Sequence, residues 1–175
     1  MQYPFIKEYN IIKYYPILII TLPVGMVVLI FFAIIWPLFK VRFGLINCDR
    51  IGHFAANTEL YICNKIYNKC NALDLLYFPK EVANTQLEKM VKRKIIILPK
   101  FIIRPLDLIC RKFYFFKNHR AITSSYGDHD INNLLDKMPA QIKMNTAETK
   151  YGKKILKNMG VPKGSKFICL IVRDN

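Results

Sequence analysis

The chain has 175 residues, enough for one domain of ordinary size or for part of a larger one. Lys and Arg outnumber Asp and Glu by 27 to 12, an excess that predicts attraction to something anionic (lipid headgroups, nucleic acid or phosphorylated substrates) and specifies no fold. The five cysteines, Cys48, Cys63, Cys70, Cys110 and Cys169, form no C-x-x-C pair and are odd in number, which argues against a disulfide framework and a zinc knuckle and fits reduced thiols in a cytosolic domain.

Residues 1–16 form a short N-terminal flank to an apolar segment, and residues 14–39 carry no charge. Ile17–Phe39 is 23 residues long, about 35 Å as a helix, which exceeds the ~30 Å hydrocarbon core of a bilayer. A signal peptide has a shorter core and a small-residue cleavage site, whereas this one closes on bulky Trp36, Leu38 and Phe39. The segment therefore reads as an uncleaved transmembrane helix, or as a re-entrant one broken at Pro23 and Gly25. Tyr14, Tyr15 and Trp36 suit interfacial aromatic belts. Lys40, Arg42 and Arg50 on the trailing flank, against Lys7 and Lys13 on the leading one, place the C-terminal part on the cytosolic side of an inner membrane.

Val41–Cys48 then reads as a strand, Asp49–Gly52 as a turn and Phe54–Lys65 as a helix. Ala72–Phe78 is a second strand stopped by Pro79, Thr85–Arg93 a helix, and Lys94–Leu98 a third strand stopped by Pro99. Glu88–Arg120 holds ten Lys or Arg among aromatic and aliphatic residues, with only Glu88 and Asp107 as acids. That stretch fits a solvated helix face, a surface helix on anionic lipid, or a nucleic-acid contact, the last without any RNP, zinc-finger or helix-turn-helix signature. His119, beside Arg120, is expected at the surface, and Ala121–Asp130 is expected to be a polar loop. Asn145 and Glu148 make a capping box for a helix that Gly160 ends. Lys166–Val172 has the composition of a buried strand, with Arg173 and Asp174 at its carboxyl end.

Strands alternating with helices predict an α/β fold with a mostly parallel sheet, whose ligands gather at the carboxyl ends of its strands. Two places there carry candidate chemistry. In the turn Asp49–His53, Gly52 permits close backbone approach to a phosphate, the helix N-terminus attracts negative charge, and Arg50 adds a bidentate contact; the alternative is an ordinary turn with a helix-start histidine. At the other place Arg173 can grip a diphosphate that Asp174 orients, or the two form an exposed salt pair. Asp128, His129 and Asp130 are adjacent in sequence and rarely converge on one ion, so no metal is expected there. No P-loop, nucleophile elbow, H-E-x-x-H helix or D-x-D string is present.

The string FGLINCDRIGHFAANTELY, Phe43–Tyr61, resembles the opening of a family of bacterial surface-polysaccharide glycosyltransferases with an R-I-G-H-x-x-x-N-x-E-L-Y motif. Arg50, Ile51, Gly52, His53, Asn57, Glu59, Leu60 and Tyr61 fit it. LDLLYF at Leu73–Phe78, LLDKMP at Leu134–Pro139 and MGVPKGSKFICLIVRD at Met159–Asp174 are similar to later family segments, so the likeness spans residues 42–175. It departs at Ile171, where the family carries a histidine two residues before the arginine; any substrate contact made by that histidine is absent here. A looser similarity leads to fucosyltransferases of the two-lobed GT-B type.

The resemblance implies a membrane-anchored enzyme that moves a sugar from a nucleotide donor to a growing surface glycan on a lipid-linked or polysaccharide acceptor, with no metal, no other cofactor and no nucleic-acid partner. It implies His53 or Glu59 as base, and Arg50, Gly52, Asn57, Arg173 and Asp174 as substrate or donor contacts. It implies a Rossmann-like GT-B lobe over residues 40–166 and the first strand of a second lobe, incomplete here, over 167–175. The rival expectation is a non-catalytic basic membrane protein that recruits anionic lipid or a partner chain.

Overall fold

The computed structural model describes residues 11–123 and 130–166, with side chains from Leu22 onward. The chain divides into two units, Met1–Ile142 and Lys143–Asn175. The first contains α1 (Ile11–Ile35), β1 (Val41–Leu45), α2 (Ile51–Tyr67), β2 (Leu73–Tyr77), α3 (Thr85–Lys92), β3 (Ile96–Ile97), α4 (Lys100–Lys112), a 3-10 turn (Tyr114–His119) and α5 (Leu134–Lys137). It is a mixed α/β unit around a small parallel sheet in the order β1-β2-β3. Val41 lies opposite Leu73, Leu45 opposite Tyr77, and Leu75 opposite Ile96.

Side chains alternate across a strand, so a sheet covered on both faces needs apolar residues at odd and even positions alike. The sequences VRFGL and LDLLY meet that need. Val41, Phe43 and Tyr77 pack into one core with Leu29 of α1 and Ile103, Leu106 and Ile109 of α4. Leu76 packs into the other with Phe54, Tyr61 and Ile62 of α2 and Val91 of α3. The sheet is thus sandwiched, with α1 and α4 on one face and α2 and α3 on the other. The expected strands are present with shorter ends, as is the helix from Thr85; the helix expected over Phe54–Lys65 is longer at both ends and takes in Ile51 and Gly52 of the expected Asp49–Gly52 turn.

The free edge of β1 is occupied as well. Along β1 the hydrogen-bonding direction alternates residue by residue. Leu73 N–H donates to Lys40 O and Ile46 N–H to Tyr77 O, both toward β2. Phe43 O faces the other way and accepts from Ala121 N–H at 2.8 Å, and the Thr123 hydroxyl donates to Leu45 O. Residues 120–123 therefore run alongside β1 opposite β2, with a parallel bridge between Phe43 and Arg120. Ala121–Thr123 form no strand, in keeping with the expected loop from Ala121, but their backbone is pinned to β1 instead of lying free in solvent. His119, expected at the surface, is a correction. It is buried, its Nδ1 lies 2.8 Å from Val41 O, and its ring packs edge-on to Trp36 at 4.5 Å.

The N-terminal helix is continuous through Pro23 and Gly25. From Leu22 on, one side of it is part of the domain: Leu29 is fully buried, and Leu22, Met26 and Phe32 pack against the α4 core. Gly25 sits at the crossing, where an added Cβ would lie 2.8 Å from Ile109 Cδ1. Among the described residues no helix is long and apolar enough to cross a membrane, so the expected free-standing span over residues 17–39 is not supported.

The second unit contributes α6 (Thr146–Asn158). Its N-terminus carries the expected reciprocal cap, with Asn145 Oδ1 accepting from Glu148 N–H and Glu148 Oε2 from Asn145 N–H. The strand expected at Lys166–Val172 falls, from residue 167 on, outside the described residues, as do Ile171, Arg173, Asp174 and the Asp128–His129 pair.

Candidate functional site

After β3 the chain passes through α4 on the opposite face from α2 and α3, then returns beside β1 on the side away from β2. Its travel across the sheet reverses at β1. In open parallel sheets a crevice forms at such a reversal, outside the carboxyl ends of the strands. The loop that leaves β1 enters that crevice and runs straight into α2.

A small polar cavity of about 280 Å³ opens there, lined by Asn47, Asp49, Arg50, His53 and Asn57. The turn beneath it is tethered to the loop after β2: Ala83 N–H donates to Cys48 O at 2.7 Å, and the buried Cys48 thiol donates to Lys80 O at 3.3 Å. Burial pushes that thiol pKa up, so it stays a neutral tether. Asp49 accepts from Lys80 Nζ at 2.6 Å, and this hydrogen bond holds its carboxyl below the ordinary range. Arg50 is the N-cap of α2, in an extended conformation with no side-chain cap hydrogen bond. An added Cβ on Gly52 would meet nothing within 4 Å, so the first turn of α2 presents an open backbone surface.

His53 and Asn57 are four residues apart and share a helix face. Asn57 also lines a second cavity of about 450 Å³ along α2, walled by Tyr61 and Asn64 on the helix and by Thr123 and Asp130 across from it. The Asn57 amide nitrogen is buried and has no hydrogen-bond partner among the described residues. It stands where the two cavities meet.

The structure thus gathers Arg50, Gly52, His53 and Asn57 and leaves Glu59 elsewhere. Six residues at about 100° each put Glu59 some 120° around the helix from His53. Its carboxylate accepts backbone N–H bonds from Gln141 and, at 2.8 Å, Ile142, and it accepts the Cys63 thiol at 3.8 Å. Glu59 fastens the 139–142 segment to α2. Asp130 is likewise structural, capping α5 by accepting from Leu134 N–H at 2.8 Å and Leu135 N–H at 2.7 Å. Asn47 and Asp49 complete the cavity and are absent from the sequence-based expectation, although they lie in the same turn as Arg50. Among the described residues no three His, Cys, Asp or Glu side chains are grouped to hold a metal ion.

Below the cavity, toward the amino ends of the strands, lies a buried charge network. Asp74 accepts from Arg42 Nε at 2.7 Å, Tyr61 OH at 2.6 Å and Lys65 Nζ at 2.6 Å. Burial favours the neutral carboxyl, but the hydrogen bonds from Arg42, Lys65 and Tyr61 outweigh it and hold Asp74 below the usual carboxylate range. Arg42 and Asp74 are direct cross-strand partners in the β1–β2 register, and the network locks α2 to the sheet through Tyr61 and Lys65.

No family model, curated protein or solved structure matches the chain.

Proposed function

We propose that this chain is a glycosyltransferase that moves a sugar from a nucleotide donor to a growing surface glycan, working at the cytosolic face of a membrane. The observation that carries this reading is the convergence of Arg50, His53 and Asn57 on one polar cavity at the carboxyl end of β1, where the chain's path across the sheet reverses. The parallel sheet with helices on both faces supports a Rossmann-like lobe of the GT-B kind. The resemblance of Phe43–Tyr61 to surface-polysaccharide glycosyltransferases supports the chemistry.

In this proposal Arg50 and the open first turn of α2 hold an anionic part of the substrate. His53, exposed at the cavity, takes the proton from the attacking acceptor hydroxyl, and Asn57 orients a sugar hydroxyl with its unpartnered amide. Arg173 and Asp174 bind the donor diphosphate, and Arg173 neutralises the charge that develops on it as the glycosidic bond breaks. Glu59 has no proton-transfer role here, because both its oxygens are engaged by backbone amides.

The test is equilibrium binding of a nucleotide-sugar panel to the full chain. One donor is expected to bind saturably and to be displaced by its free nucleoside diphosphate. Arg50→Ala should weaken that binding about tenfold, the scale of one lost charge-assisted hydrogen bond. Equal, salt-sensitive retention of every polyanion would reject the proposal. With donor and acceptor supplied, His53→Gln should bind donor normally and turn over about a hundredfold more slowly; unchanged turnover removes His53 from the role of base.

A further inference from the structure

We propose that the face of the domain formed by α1, α4 and the following 3-10 turn is a docking surface for an anionic lipid bilayer, which seats the sheet flat on the membrane. The inference does not depend on the sugar-transfer reading, because the cavities lie on the α2 side of the sheet.

The inner sides of α1 and α4 are spent on the core and on each other, meeting where Gly25 approaches Ile109. Their outer sides remain apolar. On α1, Val24, Val27, Phe31 and Ile34 are exposed at helical spacing, and Leu38 and Phe39 continue the stripe. On α4, Phe101 is 76 % exposed and Leu108 is exposed; Tyr114 and Phe115, just past the helix, are 79 % and 75 % exposed. Stable soluble surfaces seldom leave so many large apolar side chains in contact with water unless something covers them.

Charge selects what covers them. From Lys100 to Arg120 the chain carries Lys100, Arg104, Arg111, Lys112, Lys117 and Arg120, and a single acid, Asp107. Asp107 is fully buried, accepts from Tyr77 OH at 3.2 Å and pairs with Arg111 at 2.9 Å, so it neutralises Arg111 alone and leaves Lys100, Arg104, Lys112, Lys117 and Arg120 as the excess positive charge. Phe101, Arg104, Leu108 and Lys112 follow one another at spacings of three and four residues and share one helix face. Large apolar side chains beside Lys and Arg are the composition of an interfacial helix: the rings enter the acyl boundary, and the cations stay among anionic headgroups. A second copy of the chain would bring the same positive charge and be repelled. Nucleic acid would satisfy the cations and leave the aliphatic α1 stripe in water.

The test places a single tryptophan in this face. Trp36 is the only native one, so the Trp36→Phe, Phe115→Trp chain reports on position 115 alone. In vesicles containing phosphatidylglycerol, lipids brominated near the headgroup end of the acyl chain should quench its emission. Lys112→Glu with Lys117→Glu should abolish the quenching while circular dichroism stays unchanged, with apparent partitioning weakened roughly fivefold for each cation removed. A Phe101→Trp probe in the same background gives the second reading if the first variant folds poorly. The proposal is overturned by a water-exposed, unquenched tryptophan, or by equal quenching on pure phosphatidylcholine that ignores the charge reversal. Shielding that rises with protein concentration in the absence of lipid, or that needs an added oligonucleotide, overturns it as well.

Discussion

Asp74→Ala is expected to lower the unfolding free energy by about 3–5 kcal/mol, the cost of removing one partner from a buried ion pair. The magnitude follows from what is left behind. Asp74 is 5 % exposed and accepts from three side chains at once. Without it, Arg42 and Lys65 become uncompensated charges against the sheet, and the buried Tyr61 hydroxyl loses its 2.6 Å acceptor. Replacing the whole network by apolar residues of similar size should cost far less than removing the carboxylate alone. Denaturant titration of the full chain in detergent or lipid, with midpoints compared at constant slope, measures the loss. Acid titration adds a second signature. The folded-state pKa of Asp74 lies below its ordinary value, so its contribution is complete above that ordinary value, about 3.9, and is lost as pH falls through it toward the lowered folded value. The parent chain should lose this stability below about pH 4, and Asp74→Ala should show a flatter acid limb.

Gly44→Val is expected to cost about 3 kcal/mol, combining overpacking with lost hydrogen bonds. Even a bare Cβ at residue 44 would lie well inside contact distance of the Ala121 carbonyl oxygen and 3.1 Å from Ala121 Cβ. The obstacle is backbone, which cannot swing aside as the tip of a long side chain can. Relief requires residues 120–123 to move off the edge of β1, which breaks the Ala121–Phe43 bond and the Thr123–Leu45 bond. Those residues also wall the larger cavity through Thr123, so substrate binding should weaken along with stability. Normal melting and normal binding by Gly44→Val would mean that the segment beside β1 is dispensable.

Much of the sheet was legible because its strands are short apolar runs bounded by Pro, Asn or charged residues. The register of β1 and β2 was not, since the Arg42–Asp74 pairing depends on alignment between distant segments. The segment holding Arg50, Gly52 and His53 stood out in the sequence, although Gly52 and His53 lie in the first turn of α2 instead of in a turn before it, and the Asn145–Glu148 cap was visible too. The role of Glu59 was within reach of helical periodicity, which separates it from His53, but its backbone partners lie about eighty residues away. Ala121–Thr123 escaped because three residues after a basic stretch carry no strand signal, and only β1 gives them a partner. His119 next to Arg120 looks like surface, and burial comes from Trp36 and Val41, far off in sequence. For α1 the difficulty was uniformity. When every position is greasy, no periodicity marks the side that faces protein.

The glycine at the crossing of α1 and α4 changes what the N-terminal helix is for. A helix that only displayed apolar residues could be swapped for any other oily stretch of equal length. This one is a roof beam, cut to fit, with Leu29 seated in the core and a notch at Gly25 that admits Ile109. Trimming the chain at residue 40 to obtain a more tractable protein would strip Leu29 and Phe32 from the core that α4 closes over Val41 and Phe43, and a borrowed helix would have to supply both the apolar contacts and the room for Ile109.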